Sequence, residues 1–190
     1  MLKASKIKDL ELLEELCRNG EIDLFFGDES HFCSEGYVPR GWQFPNERVS
    51  IAVEKGFKIN CLALINRNST CIWKTTTENI NGQFVVDFFN DFAAKLTKET
   101  FVVLDNASFH KSKLVKANIE KWQQKGLFIF YIPPYSPELN IAETLWRILK
   151  TLELRPQDYT TLQTLTNRLE ERLDAIGKKW SIKFSEFNHK

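Results

Sequence analysis

Two short apolar runs, each closed by an aspartate, constrain the fold of this chain more than any other feature. Leu24, Phe25 and Phe26 precede Gly27 and Asp28, and Phe101, Val102, Val103 and Leu104 precede Asp105. Both runs are too short for a helix to be preferred, and their aromatic and β-branched content suits strands buried on both faces. In an open sheet covered by helices, ligand sites gather at the carboxyl ends of strands, where the backbone leaves the core. Asp28 and Asp105 are expected at two such ends.

The remaining pattern supplies the rest of a mixed sheet. Leu10, Leu13 and Cys17 share one face of a helix expected over about residues 6–18, with Asn19-Gly20 as its stop. After the first strand, a loop holding Gly36, Pro39, Gly41 and Pro45 leads to a strand expected within about 49–66, a turn at Asn66-Arg67-Asn68 and a partner strand over about 70–76. Phe84, Val85, Phe88, Phe89 and Phe92 then recur at helical spacing within about 81–96. From Phe101 onward strands and helices alternate: helix about 111–124, strand about 127–132, helices about 140–152 and 160–177. Three antiparallel strands joined to two parallel ones, flanked by helices, form an α/β, ribonuclease H-like arrangement, expected as one domain over residues 1–190.

Composition sets outer bounds only. With 190 residues and 43% hydrophobic side chains the chain can bury one substantial core. A formal charge of +1 gives no general attraction to a polyanion, so any nucleic-acid surface must come from local clustering. Cys17, Cys33, Cys61 and Cys71 lack the paired spacing of a zinc site and read as four buried, reduced thiols. The start of the chain is charge-rich rather than a signal sequence, and no run of about eighteen apolar residues occurs. A cytosolic protein is expected.

A third acid completes a chemical pattern. Glu143 lies in PPYSPELNIAETLW, where a helix is expected to begin. Three carboxylates converging from two strand ends and a helix are oxygen donors of the kind hard divalent cations take, which points to metal-dependent phosphodiester chemistry. Glu29 competes with Asp28, but the next side chain along a strand points to the opposite face. Glu138 competes with Glu143 and precedes the helix rather than lying on its first turn. The plainer reading of Glu143 is a capping box, with Asn140 as N-cap and the glutamate reaching back to its N–H.

The segments DLFFGDESHF, FVVLDNASFHKS and YIPPYSPELNIAETLW together resemble the catalytic domain of the mariner-superfamily DDE transposases, and particularly their bacterial insertion-sequence relatives. The resemblance runs over about residues 23–152, and the separation of 38 positions from Asp105 to Glu143 is similar to the spacing of that branch. It implies a catalytic and metal-holding triad of Asp28, Asp105 and Glu143 with two Mg²⁺ ions, for which Mn²⁺ substitutes, about 4 Å apart. It further implies that water cuts the ends of a DNA element and that the freed 3′-hydroxyl attacks target double-stranded DNA, often at a TA step, in an active homodimer.

Members of that family carry a helix-turn-helix region that reads the element's terminal repeats, and only about twenty residues precede the first strand here. The expectation is that end recognition resides elsewhere: on an upstream-frame DNA-binding domain if this is the downstream part of a split transposase, or nowhere if it is a decayed remnant. Two rivals stand beside the enzyme reading, a domesticated or decayed transposase domain that binds DNA or protein without cutting, and another ribonuclease H-like nuclease such as a junction resolvase.

Auxiliary residues are open between roles. Asn106 and His110 could orient Asp105 or touch a phosphate, or form an Asx turn and a surface histidine. Asn140 is a further auxiliary candidate. Lys111, Lys113 and Lys116 open a helix and fit either a DNA contact or a solvated face. Trp122 and Trp146 are expected in the core, and Trp42, in PRGWQFP, as an exposed aromatic contact to DNA.

Overall fold

A computed structural model describes residues 2–34 and 54–185. Its sheet has five strands: β1 (Asp23–Cys33), β2 (Lys58–Ile65), β3 (Cys71–Thr76), β4 (Thr100–Leu104) and β5 (Leu127–Tyr131). The helices are α1 (Leu2–Arg18), α2 (Gly82–Ala93), α3 (Lys113–Gln123), α4 (Ala142–Ile148) and α5 (Leu162–Ala175). The spatial order is β3-β2-β1-β4-β5, with β1–β2 and β2–β3 antiparallel and β1–β4 and β4–β5 parallel. This is the ribonuclease H-like arrangement expected from the sequence.

Alternation along the strands sorts the core into two layers. Leu24, Phe26 and Phe32 of β1 face Leu10 and Leu13 of α1, Leu145 and Trp146 of α4, and Leu165, Leu169 and Leu173 of α5. Phe25 faces the other way, into Val85, Phe88, Phe89 and Phe92 of α2 and Val115 and Trp122 of α3. Trp122 and Trp146 are core residues, and the Trp122 indole N–H donates to Asn90 Oδ1 at 3.0 Å, which satisfies its polar atom.

Several expectations need correction. β1 does not end at Asp28 but runs on to Cys33, paired with β2 down to Cys33↔Lys58. What ends near Asp28 is the parallel pairing to β4, whose last register pair is Phe26↔Val103. An antiparallel neighbour keeps β1 extended after its parallel neighbour has stopped, and sequence pattern gives no sign of that asymmetry. The strand expected over 49–66 is shorter, Lys58–Ile65, and its first residues, like Trp42, lie outside the described residues. The helix expected over 140–152 is α4 followed by a π-helical segment, Leu149–Glu153. Of the cysteines only Cys61 is buried, while Cys17, Cys33 and Cys71 are half-buried; all four are free thiols.

Candidate active site

The site forms where β1 and β4 part. β4 ends at Leu104 and Asp105 follows at once, while β1 carries Asp28 two residues past the last parallel pair. The gap lies at the carboxyl end of β4, where its parallel pairing with β1 stops, between the β1–β2–β3 side of the sheet and the β4–β5 side, which is where open α/β sheets place ligands. A cleft of about 460 Å³ opens there, and Asp28, Asp105 and Glu143 all line it, together with Asn106, Asn140 and the loop Pro133–Pro137.

Gly27 and Asn140 bring the third acid in. A Cβ at Gly27 would lie 2.6 Å from Leu104 Cδ2 and 2.8 Å from Leu64 Cδ2, so a larger residue here would require those two leucine side chains to shift. Asn140, 5% exposed, donates from Nδ2 to the Gly27 carbonyl at 3.0 Å and accepts the Ala142 N–H at Oδ1 at 3.1 Å. One side chain therefore ties the start of α4 to the backbone beside Asp28 and presents Glu143, on the first turn of α4, to the cleft. The plainer capping-box reading does not hold: the N-cap of α4 is Ile141, and Asn140 takes the Ala142 N–H while also reaching across to β1.

The charges in this cleft are under tension. Burial, then the neighbouring charges of Glu29, Glu143 and Asp105, push the Asp28 carboxyl up to about 8. Asp105 moves the other way, because the His110 hydrogen bond holds its carboxyl below the usual range, helped by the Ala107 N–H at 2.9 Å. His110 is fully buried, with Nδ1 2.9 Å from Asp105 Oδ1 and Nε2 3.9 Å from Glu29 Oε2. The surface-histidine reading of His110 is thereby excluded. Tyr131 O–H donates to the His110 carbonyl at 2.8 Å, and Asn106 Nδ2 donates to the Ile132 carbonyl at 2.6 Å, so the Asp105–His110 turn is stitched to β5 and the segment after it.

Sequence reasoning underrated two residues. Glu29 sits on the α2–α3 face, opposite Asp28 as strand alternation required, yet it shares a cluster with Asp105 and His110 whose ligand atoms all lie within 4.8 Å of one another. Lys150 follows Glu143 by two helical turns, a spacing that puts both on one side of the helix. Burial lowers its ammonium pKa while Glu143 and Asp28 hold it up, and its Nζ lies 5.3 Å from the Phe32 ring centre. The seven-residue spacing was a usable signal. Lys111, Lys113 and Lys116 are exposed around the start of α3, with Lys111 Nζ 5.2 Å from the Tyr131 ring centre.

The donor set fits divalent cations. Asp28, Asp105 and Glu143 offer only carboxylate oxygens, and acids that crowd until one of them is pushed up to about 8 are groups that a cation would relieve.

Residues 23–166 match the family model described as DDE superfamily endonuclease. The chain belongs to that family. Its fold is similar to the catalytic domain of Mos1 mariner transposase at a TM-score of 0.59 and 16% identity, covering 91% of this chain and 80% of that one. It is also similar to the mariner Mos1 paired end complex with Mg, at 0.63 and 14%, covering 91% of this chain and 53% of that one. A third match is the Mos1 strand transfer complex, at 0.61 and 14%, with 90% and 53% covered. The chain thus spans about half the length of the transposase chains in those complexes. No curated protein matches it. As a DDE endonuclease domain with a ribonuclease H-like sheet, the chain carries its candidate acids where the fold places a ligand cleft. Among the described residues no helix is long and apolar enough to cross a membrane.

Proposed function

We propose that this chain is the catalytic domain of a transposase of the bacterial insertion-sequence branch of the mariner group, cutting DNA at element ends and transferring the freed strand to target DNA. The observation that carries the reading is the convergence of Asp28, Asp105 and Glu143, from three separate segments, on one cleft in which Asp28 is pushed up to about 8. Complexes of Mos1 with Mg and with Mn support a choice of metal, and the paired-end and strand-transfer complexes support DNA as the partner.

Asp28, which faces the α4 side, Asp105 and Glu143 would together hold two Mg²⁺ ions. When bound, the ions supply activation of the attacking hydroxyl and neutralisation of charge on the departing oxygen. His110 holds Asp105 through Nδ1, which fixes the carboxylate and keeps it ionised and ready to bind. Lys150, near Glu143 and Asp28, would offer a positive charge to a phosphate entering the cleft. Lys113 and Lys116, exposed on α3, would track the flanking backbone. End recognition by an upstream-frame domain, action as a homodimer and residence in the bacterial cytosol belong to the same proposal.

The test is cleavage of duplexes carrying an element end by the chain joined to an end-reading domain. Nicking that requires Mg²⁺ or Mn²⁺ and is lost on Asp28→Asn or Glu143→Gln supports the reading. Equal nicking by the parent and both variants would refute it.

A further inference from the structure

Tyr135 is held in a conformation that its own chemistry disfavours. Its φ is +56°, in the left-handed region that non-glycine residues enter at a cost of roughly 1–2 kcal/mol. Its side chain is 98% exposed, the most exposed large hydrophobic group among the described residues.

Three prolines, Pro133, Pro134 and Pro137, restrict the backbone on either side. Ser136, 2% exposed, donates from its hydroxyl to the Pro134 carbonyl at 3.4 Å, and its own carbonyl accepts the Leu139 N–H at 3.1 Å. At the loop's start Asn106 Nδ2 binds the Ile132 carbonyl, which fixes the loop to the turn that carries Asp105. The ring is thus presented to solvent by a backbone with little freedom left to lose, on the wall of the cleft that Asp28, Asp105 and Glu143 also line.

We infer that Tyr135 is a stacking platform for an unpaired nucleobase adjacent to the scissile phosphate. A base next to the scissile phosphate that leaves its stack gains from a pre-positioned aromatic face. A fully exposed ring on a constrained backbone supplies that face at small entropic cost. Such stacking discriminates unpaired from paired structure rather than one base from another, because every base has a π-face. This inference rests on the phosphodiester reading of the cleft.

The experiment measures binding, so that it does not depend on turnover. The full chain, with Ca²⁺ to prevent cleavage, is titrated with a blunt duplex and with the same duplex carrying a short single-stranded overhang. The parent is expected to prefer the overhang substrate by about tenfold. Tyr135→Ala should lose that preference while holding the blunt duplex as before, and Tyr135→Phe should retain it, since the ring and not the hydroxyl is needed. A Tyr135→Ala variant with the parent's full preference overturns the inference and leaves the reading of the cleft intact. A parent that binds neither DNA overturns both.

Discussion

His110 Nδ1 and Asp105 Oδ1 stand 2.9 Å apart, and the imidazole is fully buried while the carboxylate faces the cleft. The histidine therefore acts as a backing group that fixes where the aspartate points. Replacing it with alanine should reduce Mg²⁺ affinity or cleavage by about 10–100-fold without removing a metal-facing carboxylate. His110→Asn, which retains a donor at the Nδ1 position, should recover part of the loss. Titration of metal-dependent activity across Mg²⁺ concentrations separates the two effects, and unchanged metal dependence in His110→Ala would contradict the backing role.

Asp28 gives a pH dependence of definite sign. Its carboxyl is raised from 3.8 to about 8, so the folded metal-free protein binds that proton more tightly than the unfolded chain does. Stability on this account is fully present below pH ~4, falls as pH rises toward ~8 and is flat beyond. Asp28→Asn removes the charge that causes the loss. In EDTA at pH 8.5 the variant should melt at or above the parent, and the difference should shrink as pH approaches 4; the comparison is of thermal midpoints across that range. A variant less stable than the parent at the alkaline end would show that the carboxylate is paired rather than crowded.

Lys150 stands near the crowded acids, and Glu143 and Asp28 partly offset the burial that lowers its ammonium pKa. Lys150→Met keeps the aliphatic stem that packs near Phe32 and deletes the charge. Because burial outweighs the two acids and leaves the ammonium pKa lowered, metal-free stability should hold or rise slightly. Added Mg²⁺ should widen the gap in the variant's favour, because the ions take up the carboxylate charge that supports the ammonium. Denaturant unfolding with EDTA and with Mg²⁺ measures both, and a gap that metal leaves unchanged would place Lys150 outside the electrostatics of the site.

Asn140 links β1 to α4, and its loss should be felt at both. Asn140→Ala strands the Gly27 carbonyl and the Ala142 N–H, each of which has its bond from this side chain. The expected cost is about 1–3 kcal/mol in denaturant unfolding, with lower activity as Glu143 loses its anchor. Wild-type stability in this variant would mean that Asn140 is not the tie described here.

What the sequence made legible followed from periodicity. The apolar runs at Leu24–Phe26 and Phe101–Leu104 and the helical spacing of Phe84 to Phe92 depend on local pattern, and the strand order and helix placement match them. The three acids were found because each sits in a distinctive segment, and all three line one cleft. What escaped depends on partners distant in sequence. β1 continues past Asp28 because β2 pairs it there, Asn140 adds to its local bond with Ala142 a second one to Gly27 across 113 residues, and His110 is buried by contacts that no window around it reveals. Glu29 was dismissed on strand alternation, and alternation does place it on the other face; the His110 ring waiting there could not be read from spacing.

The most direct measurement is a Mn²⁺ soak of crystals with anomalous diffraction at the manganese edge. Manganese peaks bounded by the carboxylates of Asp28, Asp105 and Glu143 are the predicted result, with both peaks on the cleft side of the sheet. Peaks confined to the Glu29–Asp105–His110 cluster, or none against Asp28 and Glu143 at saturating metal, would contradict the assignment of this cleft as the metal centre.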